Sequence, residues 1–526
     1  MALKDNKTSI FLIIAFIEGA TVMAVELLGA KMTAPFFGTT IYSWAAVLAI
    51  TLGGLASGYY LGGWTSTRKK PEILLLSVLL ASGIFMIFMP MISVGIMKAV
   101  IEMNLITGLI ISLMVFLFPV VLLFGMVGPI IISALVNSAE NSGKIAGKVY
   151  AISTVGGVIN TLILGFYIIP TYGIKGPAIA YGILIILTAF LLLVSKKKLI
   201  FATVLFLVST IAIRIQTNDK DVRSPFKIRY SSEGLLGQVK VADYAIKTDD
   251  NKIIGVRGLL VNNTWQTVIN KNDGTSMLDY IYFIRPLLSK FKKGSETLLI
   301  GLGGGTLCRE IQHKGHNVEV VELDSRLAKL AKKYFGLSQG TVIHEDDGRH
   351  FLRTAKKKYD LIIFDAFLGE NPPWHLLTLE SFQEVKSLLK TDGKLIIEFY
   401  GFLKGENGYA NRSLYKTIEE AGFKVDVIAT GNEDNIERNF VYVAGVEAFD
   451  FNNLDYSGIS YTDKDVSNLK NHLIAKEDFF KEKQVILTDD LPILEEMLMQ
   501  PALEWRKELN VHFRDRFVAL GQPIFY

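Results

Sequence analysis

Over the first two fifths of the chain apolar residues run almost unbroken, at 9–30, 41–63, 73–97, 106–136, 149–170 and 176–195, with a shorter run at 199–213. A bilayer core asks for roughly twenty apolar residues per helix, so six spans are predicted and the last run is a candidate seventh. No strongly basic segment precedes the first run and no small-residue cleavage site follows it, so it is expected to stay as a helix and not to be removed as a signal peptide. From about residue 218 the pattern changes. Alternation in GQVKVADYAI, a turn at TDDNK and the run IIGVRGLLVNN predict β-hairpins between Gly237 and Gln266. A helix over 275–290 then leads to a strand at Thr297, followed by strand 318–323, helix 325–334, strand 341–344, helix 348–355, strand 359–364, helix 378–389 and strand 393–399. Strands that alternate with helices predict a parallel sheet covered on both faces.

The organisation that follows has four parts: a membrane domain of six to seven helices over 1–217, a β-hairpin subdomain with its lead-in helix over 218–292, a nucleotide-binding α/β domain over 293–450, and a carboxyl-terminal helical extension over 451–526. Composition agrees with a chain that is part membrane and part soluble: half of the 526 residues are hydrophobic and the mean hydropathy is +0.35. The net charge of +4 gives no case for nucleic acid as a partner. One cysteine, Cys308, excludes a disulfide framework and a thiolate cluster, and no histidine and cysteine grouping suggests a metal. Cys308 reads as a small residue in a first helical turn. Lys4, Lys7, Arg68, Lys69, Lys70, Lys144, Lys148 and Lys196 to Lys198 share one set of alternating ends, against Lys31, Lys98 and Lys175, which puts the amino terminus in the cytoplasm. Six spans keep the soluble domain cytoplasmic; a genuine span at 199–213 would make it extracytoplasmic. Glu18 and Glu26, eight residues apart in the first run, fall on one broad helical face. Charge at that depth reads either as a cation or polyamine site or as a buried pair with Lys31 that fixes packing.

The candidate chemistry lies in LLIGLGGGTLCRE, Leu298 to Glu310. An apolar strand there enters a glycine cluster at 301, 303, 304 and 305 and then a helix, which lets backbone approach a ligand and offers free N–H groups. Glu322, at the end of the next strand, is placed to take both hydroxyls of a ribose. In a parallel sheet ligands sit at the carboxyl ends of strands, and the next two ends carry Asp346 with Asp347 in HEDDGRHF and Asp365 in LIIFDAF. Taken singly, Asp346 reads better as a helix cap. Together the four strand ends suit an adenosine-containing ligand with an acid over its reacting end.

At these positions the residues resemble a known family. GLGGGT, VVELD, DDGRHF and YDLIIFDAF resemble spermidine synthases, aminopropyltransferases on a class I methyltransferase-like (Rossmann-like) fold, and GQVKV resembles their amino-terminal β-hairpin segment. ELLGAKMTAPFFG, GKVYAISTVGGVINTLILGFYIIPTYG, HLLTLESF and LTDDLPILE further resemble the membrane-fused branch of that family. The resemblance implies that Gly301, Gly303 and Gly305 form the cofactor loop, that Glu322 holds the ribose, and that Asp347 with Gly348 faces the adenine. It implies Asp365 as the catalytic proton acceptor and Gln238 as a residue near the substrate. Decarboxylated S-adenosylmethionine would be the co-substrate, or S-adenosylmethionine if the reaction is a methyl transfer, and the partners would be a small-molecule amine and the lipid bilayer of the cell membrane, with a homo-oligomer left open. Polyamine-making members carry aspartates where this chain has Thr306 and Leu368; Glu370 and His375 are then candidates for the substrate cleft, with Trp374 as a lid. Three functions follow: an aminopropyltransferase making spermidine or a related polyamine, a methyltransferase acting on a membrane-associated substrate, and a non-catalytic polyamine or nucleoside sensor or transporter.

Overall fold

The computed structural model describes residues 2–38, 41–100, 103–136, 139–194, 227–234, 236–247, 253–367, 372–430, 437–457, 466–499 and 501–502. Glu370 and Leu368, and the run at 199–213, lie outside the described residues. Two compact units emerge, one built on the helices up to 194, with 231–239 grouped to it, and one built on 240–502.

The first unit consists of α1 (Ala2–Phe37), α2 (Ile41–Ser66), α3 (Pro71–Ala99), α4 (Leu105–Phe116), α5 (Phe118–Leu135), α6 (Ser142–Ile163), α7 (Ile169–Tyr172) and α8 (Lys175–Val194), with a π-turn at Leu164–Ile168 joining α6 to α7. Five described helices are long and apolar enough to cross a membrane, while Ile106–Phe116 and Lys175–Phe190 are shorter. The single span expected over 106–136 is therefore two helices that meet at Leu117, next to Pro119, whose ring nitrogen cannot donate to the preceding turn. The span expected at 176–195 corresponds to α8. Helices pack closely through glycine: a Cβ on Gly19 would lie 2.0 Å from the Ser153 carbonyl oxygen, and one on Gly156 would lie 2.2 Å from that of Phe16. Small residues allow this approach where apolar burial cannot drive helices together. Glu18 is buried there and accepts from the Ser153 hydroxyl at 3.0 Å, so its described partner is this serine.

The second unit opens with a four-stranded sheet of β1 (Lys227–Ser232), β2 (Val239–Lys247), β3 (Ile253–Val261) and β4 (Thr264–Asn270), paired in that order. Asn262 and Asn263, both at positive φ, make the two-residue turn of the β3–β4 hairpin. The lead-in helix is shorter than expected: α9 is Tyr280–Leu288, because Ser276 forms a bridge with Ile269 and Asp279 only begins the turn. Seven strands follow, β5 (Glu296–Ile300), β6 (Asn317–Glu322), β7 (Val342–Glu345), β8 (Tyr359–Phe364), β9 (Leu389–Gly401), β10 (Lys424–Ala429) and β11 (Arg438–Gly445), in the order β10-β11-β9-β8-β5-β6-β7. The first five are parallel to one another, as their continuous apolar runs predict for strands buried on both faces. β10 and β11 add an antiparallel edge. Helices α10 (Thr306–His313), α11 (Ser325–Tyr334), α12 (Gly348–Thr354), α13 (Leu379–Leu388) and α14 (Tyr409–Glu420) connect and cover the strands. The extension expected to be helical has, over its described part, two short 3-10 turns, Leu469–His472 and Lys476–Phe479, an irregular stretch and helix at 494–499 and 501–502.

Strand order reverses between β5 and β8. The chain leaves β5 for β6 and β7 on one side and returns to β8 on the other, which opens a crevice at the carboxyl ends of β5 and β8.

Candidate active site

The glycine loop and Asp365 meet in that crevice. Gly301 has φ +93°, and a Cβ on it would lie 2.0 Å from the Asp365 carbonyl oxygen, so only glycine lets the two strand ends close. The Asp365 N–H donates to the Ile300 carbonyl at 2.9 Å and keeps them in step. Gly303 and Gly305, also at positive φ, turn the chain into α10, and the Gly304 N–H donates to the Thr267 hydroxyl at 2.8 Å. Thr267, from β4, thus props the loop from the small sheet, a role that nothing in its local sequence signals.

Glu322 ends β6 beside the loop. One carboxylate oxygen accepts from the Leu302 N–H at 3.0 Å and the other from the Asp324 N–H at 2.8 Å. Burial pushes its pKa up to about 7, against the lowering effect of these backbone donors. Each oxygen keeps a lone pair, and a pair of ribose hydroxyls is the kind of donor set that would satisfy both.

Asp347 caps α12. Its Oδ1 accepts from the N–H groups of Arg349 at 2.9 Å and His350 at 3.0 Å, and its Oδ2 faces His375 Nε2 at 3.0 Å. The capping role assigned to Asp346 therefore belongs to Asp347; Asp346 pairs with His350 Nδ1 at 2.7 Å instead. Burial alone would raise the Asp347 carboxyl, but the His350 N–H and the His375 ring outweigh it and hold it below its ordinary value. Gly348 has a packing reason: a Cβ there would lie 2.6 Å from Ile300 Cγ2 at the end of β5. His375, expected in the substrate cleft, stands with Asp347, and Trp374 lies edge-on to it at 5.9 Å.

Asp365 is half-buried, and the Tyr280 hydroxyl sits 3.2 and 3.3 Å from its two oxygens. Burial pushes the carboxyl up to about 6, with the Tyr280 hydrogen bond pulling it down. Burial and the negative charge of Asp365 drive the Tyr280 phenol well above its ordinary value. Two further acids join them. Glu398 is 5% exposed; because Phe364 pairs with Ile397 across β8 and β9, Asp365 and Glu398 follow at the same level of neighbouring strands and point to one face. Burial, then the charges of Asp365 and Asp279, push Glu398 well above the ordinary carboxylate range. Asp279, just before α9, accepts from the Asn439 side chain at 3.0 Å and is also raised by burial. Three carboxylates and a phenol thus lie close together at the strand ends, Glu398 buried and Asp279, Tyr280 and Asp365 half-buried, and among the described residues no lysine or arginine is paired with any of the three acids. Glu398 was hidden in IIEFY, which reads as an ordinary buried strand; an acid in such a run is the one signal that could have pointed to it.

The remaining candidates fall as follows. The Thr306 hydroxyl is buried at the start of α10 with no hydrogen-bond partner among the described residues. Gln238 is buried and donates to Glu233, and both group with the first unit. Cys308 is fully buried, which pushes its thiol up to about 12 and keeps it from acting as a nucleophile at neutral pH.

A parallel sheet with a glycine loop at its switch point and acids on the following strand ends defines a Rossmann-like fold of the methyltransferase type. Residues 286–425 match the spermine/spermidine synthase domain. A polyamine aminopropyltransferase of Vibrio vulnificus (strain CMCP6) is 36% identical over 120 residues, 21% of this chain and 40% of that protein. Polyamine aminopropyltransferase 1 of Streptomyces coelicolor (strain ATCC BAA-471 / A3(2) / M145) is 24% identical over 59% of this chain and 62% of its own length. The chain thus spans less than two thirds of the length of these relatives. An N-terminal histidine N-methyltransferase of Emericella nidulans is 34% identical over 20% of each chain. Among solved structures, a probable spermidine synthase from Corynebacterium glutamicum aligns at 20% identity over 44% of this chain and 82% of its own, with a TM-score of 0.36.

Proposed function

We propose that the chain is a membrane-bound polyamine aminopropyltransferase, which moves a propylamine group from decarboxylated S-adenosylmethionine to a small amine such as putrescine. The observation that carries this reading is the gathering of Asp279, Asp365 and the buried Glu398 beside the Tyr280 hydroxyl. Gathering three carboxylates in a partly buried site is costly unless a cation joins them, and a protonated amine supplies that cation.

Glu322 would hold the ribose, Asp347 and Gly348 the adenine side, and Gly301, Gly303 and Gly305 would let the backbone approach the donor. Asp365 does the chemistry. Lifted to about 6, it is ionised at neutral pH yet basic enough to take a proton from the incoming ammonium group. The freed nitrogen pair attacks the propyl carbon beside the sulfonium, the carbon–sulfur bond breaks with its electrons going to sulfur, and methylthioadenosine leaves. Because sulfur departs neutral, positioning and the surrounding field supply most of the acceleration. We place Glu370 among the substrate-contacting residues, and, with six spans and a cytoplasmic amino terminus, the soluble unit on the cytoplasmic side.

The purified full chain, given putrescine and decarboxylated S-adenosylmethionine, should release methylthioadenosine, and Asp365→Asn should lower that rate by about 10²–10⁴-fold, the usual worth of a general base. No release with putrescine, cadaverine or spermidine would overturn the reading. A methyltransferase is the second reading, favoured by the neutral Thr306 at the loop end, where an acid would repel a donor that keeps its carboxylate. Tighter binding of intact than of decarboxylated donor in calorimetry would select it.

A further inference from the structure

Arg349, second residue of α12, is only 4% exposed and every nitrogen of its guanidinium is engaged. Nε donates to Glu384 at 2.5 Å and Nη2 donates to Glu384 at 3.0 Å and Asp489 at 3.0 Å. Nη1 donates to the His375 carbonyl at 2.5 Å, the Thr378 hydroxyl at 3.0 Å and Asp489 at 3.1 Å. Asp489 is remote in sequence. It arrives on the irregular stretch before the 494–499 helix, which is tied down on both sides: the Leu487 N–H donates to Thr417 at 2.9 Å and the Leu487 carbonyl accepts from the Leu379 N–H at 2.8 Å. The Asp489 N–H donates to Glu380 at 3.0 Å, and its Oδ1 accepts from Thr378 at 2.7 Å. Leu494, Met497 and Leu498 bury themselves in the same core as Phe382 and Leu388 of α13.

This stretch reaches the candidate adenine acid by a continuous path. Asp489 fixes Arg349; Arg349 holds the His375 carbonyl from one side, while its own backbone N–H holds Asp347 Oδ1 from the other; His375 Nε2 then meets Asp347 Oδ2. Two backbone donors already take Oδ1, so Oδ2 is the oxygen left for a ligand, and the position of His375 decides which of its lone pairs is free. The bond to a planar, fully charged fork is geometrically exacting, and lysine could not make it.

Resting on the reading of the glycine loop as an adenosyl site, we propose that Asp489 is a positioning residue for that site: acting through Arg349, it sets the 373–378 turn so that His375 leaves Asp347 Oδ2 open to the exocyclic amine of adenine. The carboxyl-terminal stretch is therefore part of what makes the pocket select adenine.

The test is calorimetric binding of methylthioadenosine and of methylthioinosine, which carries an oxygen where adenine has its amine, to the detergent-solubilised full chain. The wild type should prefer methylthioadenosine by about tenfold to a hundredfold, the worth of one hydrogen bond to a charged acceptor. Asp489→Asn should bring the ratio close to one, and Asp489→Glu should restore part of it. Arg349→Lys, which keeps the buried charge, serves if the asparagine variant does not fold, and should behave the same way. A purely structural role would lower the melting midpoint of these variants and leave the ratio untouched, which would overturn the proposal, as would a wild type that binds both nucleosides equally. A wild type that binds neither overturns the adenosyl reading itself, and the proposal with it.

Discussion

Replacing Gly301 by alanine isolates the closure of the two strand ends that builds the site. Two penalties act there. The backbone sits at φ +93°, where an L-residue is disfavoured by about 1–2 kcal/mol. The new Cβ would also start 2.0 Å from the Asp365 carbonyl oxygen, against a lower limit near 3.0 Å for real contacts, so about 1 Å of displacement is forced on β5 or β8. Because the obstacle is backbone and not the end of a flexible side chain, that collision should add about 1–3 kcal/mol, as overpacking does. Gly294 supplies the control, with φ +81° and nothing within 4 Å of its would-be Cβ. Gly294→Ala should show the conformational penalty alone. At about 2–4 °C per kcal/mol for a domain of this size, Gly301→Ala should melt several degrees below Gly294→Ala. The displaced carbonyl belongs to the catalytic candidate, so methylthioadenosine release should fall by about 10²-fold, the cost of misplacing a reacting group by an ångström. Differential scanning calorimetry of the full chain, read at the transition of the α/β unit, and a coupled assay for methylthioadenosine check the two parts. If both alanine variants melt together and turn over alike, the collision is not borne by the Asp365 segment and the account of the crevice fails.

Other outcomes follow from the acids of the site. The Asp365 carboxyl, held near 6 in the fold and near 3.8 when unfolded, favours folding fully only while protonated, so its contribution is present below about pH 4 and lost as pH rises through 6. Asp365→Asn should therefore melt higher than wild type at pH 8 and no higher at pH 4, while losing activity; equal shifts at both pH values would refute it. With Glu398 pushed well above its ordinary value by burial and by its acidic neighbours, binding of a diammonium ligand should lower it again and so release protons near the pH at which it titrates. Titrating putrescine in buffers of different ionisation enthalpy should reveal that release, and Glu398→Gln should diminish it; identical proton release in the variant would remove Glu398 from the amine pocket. Glu322→Gln should weaken methylthioadenosine binding by about tenfold to a hundredfold, since one charged acceptor is lost, and unchanged affinity would deny it the ribose.

Much of the α/β unit is legible in the linear pattern. Strands 318–323 and 359–364 and helix 325–334 stand within a residue of their expected limits, because a parallel sheet buried on both faces writes itself as apolar runs between amphipathic helices. Gly301, Glu322, Asp347 and Asp365 stood out because each ends or follows an apolar strand, and the structure has each of them at such an end. What escaped depends on register or on distance along the chain. Glu398 faces Asp365 only because β9 aligns Ile397 with Phe364, and a shift of one residue would turn it to the other face. Asp279 read as helix interior until the Ser276 bridge shortened α9.

By itself the sequence determined the division into an apolar helical part and an α/β part, the parallel alternation and the glycine loop with its matched acids, since all of these rest on hydrophobic period and on what glycine and carboxylates do locally. Only the tertiary structure decided that Thr267 supports the loop, that Asp279 and Glu398 join Asp365 in one pocket, and that Asp489 reaches Arg349 from 140 residues away. Those contacts come from strand order, register and the docking of remote segments, and such pairings leave no periodic mark on the chain because each partner looks ordinary where it stands.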